Sequence, residues 1–277
     1  MSSFWKRTLS GAVYVALVVA SILVHPIFFG VLFLALTMWA VHEYHTLVKS
    51  DKFVTIGSMI AGGLTFVTLW LLVNGDSWLS ISDLAYTQVA GLLLLMALLI
   101  AELFRKAEDP IRNWGNILTS LAMIALPFAL MNIVLDKSPY ILLALFITIW
   151  VNDSGAYCVG CSTAKLPKGN HKMFPRISPA KSWEGLIGGF VFALLAGYIF
   201  YRVGWFADYS HPCITALAFA LVVAVFGTLG DLMESLIKRT VGVKDSGRFM
   251  PGHGGVLDRF DSILLATPAI TILLLLL

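Results

Sequence analysis

The sequence predicts an all-α, polytopic integral membrane protein of about nine transmembrane helices, and three observations lead there. Of 277 residues, 58% are hydrophobic and 13% charged. Mean hydropathy is +0.86. The apolar residues gather in stretches close to the ~20 residues that a helix needs to cross hydrocarbon. A soluble domain has about 25% charged residues, so this chain has too few to coat a water-exposed surface. A soluble globular enzyme is excluded, as is a disordered or fibrous chain. The net charge of +3 decides little, and no nucleic-acid partner is expected.

The first stretch, residues 8–24, follows Lys6 and Arg7 and reads as a retained signal anchor, because no small-residue cleavage site follows it. His25-Pro26 breaks the chain before the second, 27–41, which is short enough to be re-entrant. Further spans fall at 54–73, 84–104, 115–135, 139–160, 185–204 and 212–233. The last, 257–277, reaches full length only by including Asp258 and Asp261. With a cytoplasmic N-terminus, nine spans place every Lys and Arg except Lys137 and Arg202 on the inner side. The positive-inside rule asks for this, and it puts the C-terminus outside.

Residues 1–140 read as structural helices for packing and dimer contact, and residues 141–277 as the catalytic region with cytoplasmic loops 161–184 and 234–256. In the first part Gly62-Gly63 suit close helix packing. His42, Glu43 and His45 read as interfacial polar residues at a helix end rather than a metal site. No chemistry is assigned there.

The second part concentrates acids in otherwise apolar helices: Asp153, Asp231, Glu234, Asp258 and Asp261. A carboxylate inside a span costs at least ~2.5 kcal/mol, and such residues usually face a bundle interior and mark a site. Asp231, Glu234, Ser235 and Lys238 fall at i, i+3, i+4 and i+7, one stripe of a helix. Asp258 and Asp261 share a face by the same spacing. Clustered carboxylates repel unless a cation lies among them, and hard oxygen donors suit Mg²⁺, which keeps waters and takes substrate phosphates as ligands. The competing reading is a set of salt bridges to Lys238, Arg239 or Arg259. The flanking loops supply Lys165, Lys168, Lys172, Arg176, Lys181, Lys238, Arg239, Lys244 and Arg248, with Gly252, Gly254 and Gly255 around His253. Basic side chains and glycine-rich turns bind phosphates. An anionic polyphosphate substrate at the cytoplasmic surface is expected.

The run from Ser235 to Asp261, SLIKRTVGVKDSGRFMPGHGGVLDRFD, resembles the signature of phosphatidate cytidylyltransferases. It matches at Ser235, Lys238, Arg239, Lys244, Asp245, His253, Gly254, Gly255, Asp258, Arg259 and Asp261. The blocks NDSGAY at 152–157, SPAKSWEG at 178–185 and GDLMES at 230–235 resemble further blocks of that family. Ala180 and Cys161 stand where the family often has basic residues. Cys158 and Cys161 form a CxxC with no second pair to complete a zinc site.

The resemblance implies transfer of the cytidylyl group of CTP to phosphatidate, giving CDP-diacylglycerol and pyrophosphate. It implies Mg²⁺, as a two-metal centre whose second ion is open to be another cation, with Asp231, Glu234, Asp258 and Asp261 as ligands and Lys238 beside them. Ser178, Lys181, Ser182, Arg239, Lys244, Arg248, His253, Gly254, Gly255 and Arg259 are the implied substrate contacts. Asp153 is open between ligand, lysine partner and a carboxylate orienting Asn152. The resemblance also implies contact with membrane lipids, a homodimer, and a bacterial cytoplasmic membrane with the site facing the cytoplasm. The alternatives are a CTP-dependent polyprenol or phytol kinase, a cytidylyltransferase for an ether-lipid phosphate, and a cation transporter using the intramembrane acids.

Overall fold

A computed structural model describes residues 3–75, 81–167, 169–247, 249 and 254–277. Arg248 and His253 lie outside the described residues. Among those described, eight helices are long and apolar enough to cross a membrane, and a shorter apolar helix covers Thr8–Val24. The protein is an all-α integral membrane protein. The second helix runs over Pro26–Leu47, 22 residues, where the sequence had suggested a shorter segment. The difference lies at its C-terminal end, where polar His42, Glu43 and His45 continue the helix because two of them are buried and satisfied.

The chain divides into two compact units, Met1–Asp136 with Val241–Phe260, and Lys137–Thr240 with Asp261–Leu277. The first holds α1 (Ser3–Val24), α2 (Pro26–Leu47), α3 (Lys52–Asn74), α4 (Ile81–Phe104) and nearly all of α5 (Pro110–Lys137). Its returning segment ends in one short turn of helix, α9 (Leu257–Phe260).

Three of the helix starts in this unit have a local cause. Pro26 at the first position and the His25 side chain, accepting from Ile27 N at 3.1 Å, open α2. Asp51 caps α3 through Val54 N at 3.0 Å, and Asp109 caps α5 through Arg112 N at 2.9 Å. In α5 the ladder widens to a π-turn over Leu121–Ala125. Pro127, two residues on, has no amide to offer and accounts for the irregularity. The core is aromatic: Phe29 stacks on Phe33 at 4.3 Å, and Phe260 meets Phe128 at 5.3 Å and Phe33 edge-on at 6.0 Å. Gly62 packs where a methyl group would lie 3.2 Å from Ala125 and 3.3 Å from Val41, so α3 sits tight against α2 and α5. On α4, Val89, Leu92, Leu93, Met96, Ile100 and Leu103 form an exposed apolar stripe at helical spacing, as lipid contact requires.

Outside the spans, Asp51 also pairs with Arg105 at 2.9 Å. Burial raises the Asp51 carboxyl, but the Val54 amide and Arg105 outweigh it and hold the group below its ordinary value. A depressed folded-state pKa stabilises above the unfolded pKa of ~3.9 and is lost as pH falls through the folded value. Thermal melts in detergent should therefore show Asp51→Asn destabilised at pH 7, with the gap to wild type closing below about pH 4.

The second unit contains α6 (Pro139–Thr163), a hairpin of β1 (Lys172–Phe174) and β2 (Ser178–Ser182), α7 (Trp183–Val203), α8 (Pro212–Thr240) and α10 (Ile263–Leu276). α6 packs on α7, and α8 on both α7 and α10. Small residues set these approaches. A methyl group at Gly189 would lie 2.7 Å from Asn152 Oδ1 and 2.9 Å from the Asn152 carbonyl, and at Gly197 2.8 Å from the Ala216 carbonyl. The hairpin pairs Lys172 with Ser182 and Phe174 with Ser178. It lies within the segment that the sequence shows only as a basic loop, 161–184.

Candidate active site

Three separate sequence blocks meet in the second unit, around a cavity of about 540 Å³. α6 contributes Asn152, Asp153, Tyr157, Gly160 and Cys161, the hairpin Ala180, Lys181 and Ser182, and α8 Thr228 and Asp231. Local bonds fix the hairpin against the helices. Ser182 caps α7, its hydroxyl accepting from Gly185 N at 3.1 Å, which fixes the end of β2. Asn170 donates to the Gly160 carbonyl at 2.7 Å and to Ser182 Oγ at 3.3 Å, holding the hairpin to the end of α6. Glu184 accepts from both the amide and the ring of His171. Arg239 Nε donates to the Ile177 carbonyl at 3.2 Å, tying the end of α8 to the hairpin turn.

The hairpin thereby brings Lys181 Nζ to 2.8 Å from Asp231 Oδ2. One turn on, Ser235 donates to Asp231 Oδ1 at 3.2 Å, and Glu234 pairs with Lys238 at 2.5 Å with both side chains buried. The stripe read from spacing on α8 thus contains two i, i+4 pairs. Gly230 presses against the next acid: a methyl group there would stand 2.6 Å from the Asp261 carbonyl. Asp261 Oδ1 accepts from Ser262 N at 2.6 Å. Its carboxylate lies in electrostatic range of Asp231, Glu234 and Asp153, and Asp153 in range of Asp231 and Lys181. These four acids, Lys181 and Lys238 all lie in the second unit.

This donor set fits Mg²⁺. Its oxygens are hard, and two lysines balance only part of four carboxylates. Among the described residues no group of three His, Cys, Asp or Glu side chains is placed to enclose an ion. The arrangement suits an ion held by one or two carboxylates and by substrate phosphates rather than a closed protein cage.

Asp258 belongs to the first unit. Its Oδ2 accepts from Ser246 N at 2.8 Å, Ser246 Oγ at 2.9 Å and Gly255 N at 2.7 Å. These bonds make it an organiser of its own loop. Gly254 has φ +82° and lies so close to that oxygen that a side chain would collide with it, and one at Gly255 would collide with Glu43 and Ser246. The paired glycines of the signature therefore serve the close packing of the loop. Lys244 and Arg259 are exposed in this unit, and Ser178 is half-buried on β2. Cys158 and Cys161 are exposed free thiols.

One residue that sequence reasoning left without a role is central to this loop. Glu43, 4% exposed on α2, accepts from Ser246 Oγ at 3.0 Å, Val256 N at 3.0 Å and Leu257 N at 2.9 Å. Its neighbour His45 is a satisfied core residue between Ser50 and Ser120. The only signal available was an acid inside an apolar helix.

Residues 5–277 match a family described as the cytidylyltransferase family. Among curated relatives, the phosphatidate cytidylyltransferase of Bacillus subtilis (strain 168) is 34% identical over 272 residues, 97% of each chain. That of Staphylococcus saprophyticus is 33% identical over 224 residues, 80% of this chain and 81% of the relative. That of Staphylococcus haemolyticus is 33% identical over 252 residues, 78% and 92% of the two chains.

Proposed function

From the premise that the chain belongs to the cytidylyltransferase family, we propose that it joins CTP and phosphatidate to give CDP-diacylglycerol and pyrophosphate. It is an enzyme, a nucleotidyltransferase of phospholipid synthesis. The observation that carries the reading to particular residues is the cavity of the second unit, where Asp153, Lys181, Ser182 and Asp231 from three family blocks line one space.

In this reaction a phosphatidate phosphate oxygen bonds to the α-phosphorus of CTP while the bond to pyrophosphate breaks, so the cytidylyl group changes partner and pyrophosphate carries away the displaced charge. Phosphatidate is ionised at neutral pH, so no general base is required. The protein's work is positioning and charge balance. Lys181 neutralises phosphate charge in the cavity, released for that purpose from Asp231 when substrate arrives. Ser182 and Ser178 orient phosphate oxygens from the hairpin. Asp231 and Asp261 would hold Mg²⁺, with Asp153 and Glu234 beside them, and four acids would accommodate a second cation. When bound, the metal supplies Lewis-acid stabilisation of charge on the transferring phosphoryl group. The resemblance assigns anion contacts to Arg239, Lys244, Arg248 and Arg259, and Lys238 holds Glu234 in place. Asp258, Gly254 and Gly255 shape the signature loop, and the resemblance implies a substrate contact for His253.

The protein sits in a bacterial cytoplasmic membrane as a homodimer, with its site facing the cytoplasm. The distribution of Lys and Arg along the sequence supports the sidedness, and the outward apolar stripe of α4 supports contact with membrane lipids. Purified protein given CTP, phosphatidate and Mg²⁺ should release pyrophosphate and form CDP-diacylglycerol. CDP with a newly phosphorylated lipid alcohol would instead mark a kinase, and cation flux in proteoliposomes without lipid turnover would mark a transporter.

A further inference from the structure

We propose that Glu43 is the positioning residue of the signature loop: its buried carboxylate sets the place of Ser246, of the 255–257 backbone and, through Ser246, of Asp258. The proposal rests on the cytidylyltransferase reading and adds to it a residue that lies more than two hundred positions before the loop it holds.

Among the described residues, the Glu43 carboxylate is seated by hydrogen bonds. Four donors converge on the two oxygens: Trp39 Nε1 at 3.0 Å, Ser246 Oγ at 3.0 Å, Val256 N at 3.0 Å and Leu257 N at 2.9 Å. Among the described residues no Lys or Arg pairs with Glu43. A buried carboxylate without such donors would be strongly unfavourable, so the loop must keep its shape for Glu43 to remain buried. The loop is cut to fit. Gly247 sits where a methyl group would be 2.6 Å from Glu43 Oε1, and Gly255 is closer still.

The link onward is the Ser246 hydroxyl. It stands 3.0 Å from Glu43 Oε2 and 2.9 Å from Asp258 Oδ2, while the Ser246 amide donates to Asp258 at 2.8 Å. A hydroxyl has one proton to donate. It therefore couples the two carboxylates, and any change at Glu43 alters what Ser246 offers Asp258.

The test uses the full-length protein in detergent with CTP, Mg²⁺ and phosphatidate micelles. Glu43→Gln puts an NH₂ group against amide N–H donors and leaves a single acceptor oxygen. It should lower kcat/KM for CTP about tenfold, the size expected from one or two lost charge-assisted hydrogen bonds. The loss should fall on KM for CTP, with KM for phosphatidate unchanged. Ser246→Ala should do the same, and the double variant should cost no more than the worse single change, because both act along one chain of contacts. Hydrogen exchange should rise at Ser246, Gly247 and residues 254–257 and stay unchanged in the remainder of α2. Equal loop protection in wild type and Glu43→Gln would overturn the proposal. So would additive effects of the two changes, or an equal effect on both substrates. If the wild type makes no CDP-diacylglycerol, the catalytic reading fails, while the exchange experiment still decides whether Glu43 anchors the loop. Should Glu43→Ala fail to fold, the Gln and Ser246→Ala variants carry the test.

Discussion

Asp231→Asn and Asp261→Asn should each lower the rate of pyrophosphate release by about 10²–10³-fold, the usual cost of removing one preorganised charge from a transition state. Asparagine keeps the shape and one oxygen but removes the charge, which at Asp231 balances Lys181 and on the proposed function would draw a cation. Raising Mg²⁺ should recover part of the Asp231→Asn rate, because one ligand weakens metal binding without abolishing it. Glu234→Gln should cost less, since Glu234 is already paired with Lys238 at 2.5 Å. Initial rates across an Mg²⁺ series, with detergent melting curves as the folding control, check all three. Near-normal rates for both aspartate variants would remove the metal assignment from this cluster.

Gly230→Ala should be the most damaging small substitution in the second unit. The added methyl group would stand 2.6 Å from the Asp261 carbonyl, 3.1 Å from the Ser262 carbonyl and 3.3 Å from Ser262 Cα. All three are backbone atoms, so no side chain can turn aside. α8 and the start of the last helix must separate, which overpacking data put at about 1–3 kcal/mol. The separation also moves Asp231 relative to Asp261, so activity should fall further than stability. Gly115→Ala, with open space around it, is the matched control on an exposed helix position and should be close to neutral. A melting temperature for Gly230→Ala equal to wild type would show that the two backbones are not held this closely.

The spans were legible because their cause is local. Twenty apolar residues must form a helix in hydrocarbon wherever they lie in the chain, since no other conformation satisfies the backbone there. The acid stripe on α8 was legible for the same reason: Asp231, Glu234, Ser235 and Lys238 share a face by helical geometry alone, and two of those spacings became the contacts Asp231–Ser235 and Glu234–Lys238. The hairpin at residues 172–182 was not legible. Its strands are three and five residues long, its alternation is weak, and a short basic segment with two prolines looks like any loop. That hairpin decides where Lys181 points.

Sequence alone determined the membrane class, the membership implied by the 235–261 run, and the acids worth testing, because hydropathy and helical spacing act over a few turns of one helix. Only the tertiary structure showed that Lys181 meets Asp231, that Gly230 brings Asp261 beside that pair, and that Glu43 seats the signature loop. Those contacts join residues 31 to 214 positions apart, chosen by which backbones approach closely and which buried charge finds donors. No local pattern in the chain records such choices.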